Sequence, residues 1–207
     1  MRRCGGEVAA RIGPNGSTPH PACGTRLVDT PLSLLALLAV ISAAGALTVE
    51  LALQQAVRRG SVRPPRMHME IQINAPLPRV WEYASDVQRQ PEWMHEMKRV
   101  EMITPGPIKV GSRGRATVRI FGISTTDDVV ITRLDPPHAF GIRHEGKFTG
   151  EGLLEFSAAN EQQTLIRWTE YLRPPLFPML AGFLQRPILR RIFQSDLRHL
   201  KQILEER

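Results

Sequence analysis

The chain has 207 residues, of which 42% are hydrophobic and 23% charged, with a formal net charge of +7. That length holds one ordinary domain plus appendages. Residues 1–66 carry eight arginines against three acids, whereas residues 67–207 carry nineteen basic groups against seventeen acidic ones; the excess is therefore not spread over the domain, which argues against a nucleic-acid partner. Both cysteines, Cys4 and Cys23, precede the first long apolar run, which excludes disulfide stapling and cysteine-ligated zinc for the domain.

Residues 1–29 form a polar leader with Gly5-Gly6, Gly13-Pro14, Asn15-Gly16 and Pro19-His20-Pro21, too poor in apolar residues to pack, and are predicted to be disordered. Residues 30–57 read as a transmembrane helix and its continuation. No charge occurs from Thr30 to Val49, and at about 1.5 Å per residue such a run crosses roughly 30 Å of hydrocarbon. The alternatives are a buried globular helix, or a secretory signal cleaved at Ala44-Gly45-Ala46. The long polar leader and the length of the apolar core speak against cleavage; a translation start further in also stays open. Arg58, Arg59, Arg63 and Arg66 follow the span, against Arg26 and more distant arginines before it. A single-pass membrane protein with its C-terminal domain in the cytoplasm is therefore expected, the Arg58–Arg66 cluster facing anionic headgroups.

Residues 58–66 are a basic, proline-rich linker containing Ser61-Val-Arg-Pro-Pro65. The domain occupies 67–207. His68 to Asn74 alternates apolar with polar, placing Met69, Ile71 and Ile73 on one face of a first strand. Two short helices are predicted next, one starting at Ala75-Pro-Leu-Pro78 and one running to Pro91 and Trp93-Met94. From Val100 the pattern is strands broken by turn residues: 113–120, 124–134, 139–143, 152–156 and 164–172. Hairpin-length connections imply one antiparallel sheet of about seven strands with one face packed. A single long amphipathic helix then runs from Leu176 to about Glu206, and Pro187 predicts a kink or break in it. The fold class is α+β, and the space between helix and sheet is where a function is sought.

The order of Ile73-Asn-Ala-Pro76, Val80-Trp81, Asp86, Pro91-Glu-Trp93, Val110-Gly111-Ser112, Asp135-Pro-Pro137, the Gly146–Gly152 stretch and Leu200-Lys-Gln-Ile-Leu-Glu205 resembles the START-like, or SRPBCC, superfamily. Within it, the polyketide cyclase/dehydrase and lipid-transport group is the nearest in character. The resemblance covers residues 67–207. It implies a helix-grip fold whose curved sheet wraps the C-terminal helix around an apolar cavity. It also implies a lipid, quinone or polyketide-like ligand and, in a minority of members, cyclisation or dehydration of that ligand. An N-terminal anchor is not part of the core family pattern, and no shared catalytic motif exists to carry over.

Strand alternation puts Phe140, Ile142 and His144 on one face, and Ile166, Trp168 and Glu170 on another. The expected ligand-lining residues are Phe140, Ile142, Trp168, Leu180, Phe183, Leu184 and Ile188. His144 and Glu170 are the acid–base candidates if the domain is an enzyme, although a surface histidine and an edge-exposed glutamate are the simpler readings. Trp81 and Trp93 are expected to pack in the core. Asp127 and Asp128 point to opposite faces, which is poor geometry for a shared proton. Ser195, Asp196 and His199 lie within one helical turn but lack a nucleophile elbow or an oxyanion donor set. The histidines show no metal spacing and the glycines form no phosphate cradle, so neither metal nor cofactor is expected. Three functions are weighed: binding or transfer of a hydrophobic small molecule, a cyclase or dehydratase acting in the same cavity, and an interaction module whose cavity is filled.

Overall fold

The structure, a computed structural model, describes residues 29–120 and 122–206. The polar leader lies outside the described residues. The chain divides into two compact units between Val40 and Ile41, and the folded domain belongs to the second. Helix α1 runs from Asp29 to Arg58. The part from Leu32 is long and apolar enough to cross a membrane. It ends where Gly60 takes a left-handed φ of 72°, with Gly60 and Ser61 donating to the carbonyls of Val57 and Ala56.

The domain is a seven-stranded antiparallel sheet of β1 (Met67–Ile73), β2 (Met97–Met102), β3 (Arg113–Ile120), β4 (Ile123–Asp135), β5 (Ala139–Glu145), β6 (Thr149–Asn160) and β7 (Gln163–Arg173). Its spatial order is β1-β7-β6-β5-β4-β3-β2. Hairpins join β2 through β7 in sequence, while α2 (Leu77–Ala84) and α3 (Gln90–Trp93) carry the chain from β1 at one edge to β2 at the other. Period-two burial is plain in β1 and β7, where Met67, Met69, Ile73, Ile166 and Trp168 turn inward. The 152–156 strand is longer than its apolar pattern predicts, because residues 149–151, Gly150 among them, and 157–160 also belong to β6.

Helix α4 (Pro178–Glu205) lies across the inner face. Its buried stripe is Met179, Gly182, Leu189, Phe193, Asp196, Leu197, Leu200 and Leu204, the three- and four-residue spacing of a helix seated on one surface. Its polar flank covers edge strand β1: Arg190, Gln194 and Lys201 donate to the carbonyls of His68, Glu70 and Gln72, which leaves less free edge for another strand. Pro187 sits inside α4 without ending it; the predicted break is absent, since packing of Leu189 and Phe193 just beyond it holds the next turns on the sheet. The helix begins two residues later than its hydrophobic pattern predicts. Phe177 adopts a left-handed φ of 50° and Pro178 occupies the first helical turn.

Phe177 makes no side-chain cap. The capping acceptor comes from α1: the Glu50 carboxylate accepts from the amide of Met179 at 3.1 Å and of Leu180 at 2.8 Å, while Gln54 donates to its other oxygen at 2.7 Å. Nearby, the linker's Pro65 is buried against Gly182, where an added Cβ would lie 3.0 Å from the proline ring.

Candidate functional site

Three cross-strand rows build the site. Phe140 pairs with Leu154 and Leu154 with Trp168; Ile142 pairs with Gly152 and Gly152 with Glu170; His144 pairs with Gly150. Because β5 to β7 are in continuous register, side chains distant in sequence form one inner surface. Between that surface and α4 is a cavity of about 360 Å³, lined by these residues other than Gly150, by Ala116, Val118, Ile120 and Ile123 of β3–β4, and by Gln185, Ile188, Leu189 and Phe193 of α4. That size suits a small organic molecule.

The largely apolar wall carries a buried polar constellation on β5 and β7. Glu170 is 3% exposed. Its Oε2 accepts from Trp168 Nε1 at 2.9 Å, and its Oε1 faces His144 Nε2 at 3.3 Å with no other partner. Burial alone pulls the His144 imidazole down, but the adjoining Glu170 carboxylate, with a contribution from Asp127, outweighs it and holds the group above its ordinary value of 6.5. Gly152 makes room for this arrangement, since a Cβ there would lie 2.5 Å from Glu170 Oε2. Trp168 is fixed by edge contact with Trp93 and by a tilted stack on Phe193.

The simpler readings of His144 and Glu170 are corrected by this geometry. His144 is four-fifths buried, and Glu170 is not edge-exposed, because β7 is flanked on both sides by β1 and β6. Asp127 faces the cavity and accepts from the amide of Lys147 at 2.8 Å, whereas Asp128 pairs outside with Arg115 at 3.3 Å.

Of the expected lining residues, Phe140, Ile142, Trp168 and Ile188 border the cavity; Leu180, Phe183 and Leu184 do not. The reason lies in helical phase: the stripe through Met179, Gly182 and Leu189 meets the protein, and Leu184, a half-turn away, is 68% exposed. Trp81 packs edge-on against Phe156, while Trp93 is both core and cavity wall.

A second polar group was weighed in the sequence only as part of a triad. Asp196, on α4, is 1% exposed, and its Oδ1 accepts from the backbone amide of His95 at 3.1 Å and lies 3.1 Å from that ring's Nδ1. Its Oδ2, Glu96 Oε2 and Trp93 Nε1 are buried without protein partners. Burial, reinforced by the charge of Glu96, pushes the Asp196 carboxyl up to about 6 against the opposing pull of His95. His199 stacks on His95 with ring centres 4.6 Å apart, and Ser195 is exposed, so the three residues on one helical turn are not a triad. The signal for Asp196 was its place between Phe193, Leu197 and Leu200 on the apolar stripe.

A sequence profile described as "Polyketide cyclase / dehydrase and lipid transport" matches residues 64–205. The chain belongs to that family. No curated protein matches it by sequence. Solved structures with the same fold include TTHA0849 from Thermus thermophilus, at 23% identity and TM-score 0.51, covering 69% of this chain and 95% of that one. Another is the Zhui aromatase/cyclase from Streptomyces sp. R1128, at 17% identity and TM-score 0.51, covering 67% and 94%. A third is the hypothetical protein jhp0584 from Helicobacter pylori, at 12% identity and TM-score 0.55, covering 67% and 87%. Family membership and fold agree with a helix-grip domain that takes hydrophobic ligands or cyclises them. Among the described residues no group of three or more ligating side chains could hold a metal.

Proposed function

We propose that this family member is held at a membrane by α1 and binds or transfers a hydrophobic small molecule of the lipid, quinone or polyketide-like class in the cavity beneath α4. The observation that carries this reading is the combination of about 360 Å³ of free volume with a mostly apolar wall into which a buried His144–Glu170–Trp168 group is set. Removing apolar ligand surface from water at about 25 cal/mol per Å² would drive binding. His144, as a donor, would orient a ligand oxygen. Free volume on this scale speaks against an interaction module with a filled interior.

A second reading, catalysis by a cyclase or dehydratase, is favoured by a specific contact. A buried imidazolium beside a carboxylate can give a proton to a ligand carbonyl or hydroxyl and take one back, the pairing acid–base chemistry needs. The fold of the Zhui aromatase/cyclase makes that chemistry worth testing here.

The full chain, extracted in detergent, would be analysed by native mass spectrometry for co-purifying lipophiles. Ile142→Trp, which fills the cavity, should abolish the adduct while the far-ultraviolet circular dichroism stays folded. An adduct that survives this substitution would place the ligand elsewhere. His144→Gln separates the two readings: binding alone weakens several-fold at most, whereas turnover of the bound molecule would stop.

A further inference from the structure

The apolar surface of α1 does not stop at the domain. Leu47, Val49 and Leu51 remain exposed, while Glu50, one face round the helix, is buried against the first turn of α4. A carboxylate inside hydrocarbon is expensive unless paired. Here the two unsatisfied amides that open α4 supply the partners, and the helix dipole favours the charge. Glu50 therefore joins the exposed apolar surface of α1 to the first turn of α4.

The cavity's rim lies at the same end. Leu172 and Gln185 line the cavity, and Gln185 is joined to the Leu172 carbonyl at 3.3 Å within two turns of the Glu50 contact. Large apolar side chains near it are left uncovered: Ile188 at 46% exposure on α4 and Ile123 at 71% beside the β3–β4 turn, with Leu184, one turn before Ile188 on the outer side of α4, at 68%. Ile188 and Ile123 border the cavity itself. Single exposed apolar residues mean little, but two bordering an apolar cavity and a third one helical turn away, next to an apolar helix, form a surface with a specific occupant.

We propose that Leu184, Ile188 and Ile123 form a lip that dips into the bilayer holding α1, that ligand passes directly between that bilayer and the cavity, and that Glu50 fixes the lip at the membrane surface. The inference rests on the membrane-anchored binding reading above and adds the route. Glu50 is a positioning residue: it touches α4 and no ligand.

The test uses the full chain with Cys4 and Cys23 replaced by serine, reconstituted in vesicles of phosphatidylcholine with a minority of phosphatidylglycerol. A single cysteine at Leu184, at Ile123 or, as a solvent-facing control, at Ser157 carries an environment-sensitive nitrobenzoxadiazole label. At 184 and 123, brominated acyl chains should quench the label and aqueous iodide should act at least roughly threefold more weakly than at 157. Cavity occupancy is followed in the same vesicles with 1-aminoanthracene, whose signal Ile142→Trp should remove. Glu50→Gln should leave that probe's final signal unchanged but slow its transfer from lipid about tenfold, the scale of one charge-assisted hydrogen bond.

Labels at 184 and 123 as open to iodide as the one at 157, with 1-aminoanthracene still bound in the cavity, would overturn the lip and leave the binding reading standing. Absence of any cavity signal sensitive to Ile142→Trp would overturn the binding reading and the route with it. An unchanged transfer rate in Glu50→Gln, with lip labels shielded, would overturn the role given to Glu50.

Discussion

Glu170 on β7 reaches across β6 to place one carboxylate oxygen 3.3 Å from Nε2 of His144, two strands away, while its other oxygen is held by Trp168. The pair thus joins the apolar cavity wall to a titratable group whose protonated form is favoured. In a nuclear magnetic resonance titration, His144 should titrate above 6.5, and Glu170→Gln should bring it down, since burial then acts unopposed by that carboxylate. The folded-state pKa is raised, so the stabilisation this pair provides is fully present below about pH 6.5 and is lost as pH rises through the folded value. A His144 titration unaffected by Glu170→Gln would mean the contact carries no charge coupling.

Asp196 offers a second pH dependence with the same sign. Its carboxyl is raised from 3.8 to about 6. The folded state therefore holds a proton that the unfolded chain has lost, and stability falls by about 2 kcal/mol as pH rises from roughly 4 to 6. Asp196→Asn keeps an oxygen for the His95 amide and presents an amide to Glu96. Chemical denaturation should show the variant more stable than the parent above about pH 7 and close to it in acid; equal stability at both pH values would contradict the burial cost.

Much of this was legible in the sequence, and the failures have physical causes. Alternation alone put Ile166, Trp168 and Glu170 on one face, because β7 is regular over its whole length. What alternation could not supply was the pairing of β7 with β6 and of β6 with β5, which brings His144 to Glu170. Sheet register is a tertiary property, so two inward-pointing polar residues on separate strands looked like independent surface groups. On α4 the fault was phase: Leu180, Phe183 and Leu184 are apolar but lie off the stripe that Met179, Leu189 and Phe193 define. Sequence hydrophobicity there reports a second surface, on the far side from the sheet.

That phase difference has a measurable counterpart. Leu197 is fully buried, and Leu197→Ala should cost about 2–5 kcal/mol. Leu184→Ala, on an exposed side chain, should change stability by no more than about 0.5 kcal/mol. Paired denaturant melts on the two variants check the helix orientation, and similar losses in both would refute it.

Trp168→Phe keeps an aromatic ring between Trp93 and Phe193 but removes the indole N–H that satisfies Glu170. A buried carboxylate oxygen left without its donor is expected to lower stability by about 1–3 kcal/mol. Added Glu170→Gln should recover part of that loss, because a neutral amide is less costly to bury. A double-mutant cycle showing strict additivity would indicate that the two side chains do not interact.

Position 152 restricts how this site can diverge. Only hydrogen fits between the β6 backbone and the Glu170 carboxylate; a methyl group would displace the acid from both the indole and the imidazole. Descendants of this chain that replace the acid lose the reason for the glycine, and those that enlarge the glycine cannot keep the acid where it is. The two cross-strand partners should therefore drift in tandem, so the presence of both marks which sister proteins have inherited the polar spot within their greasy interior.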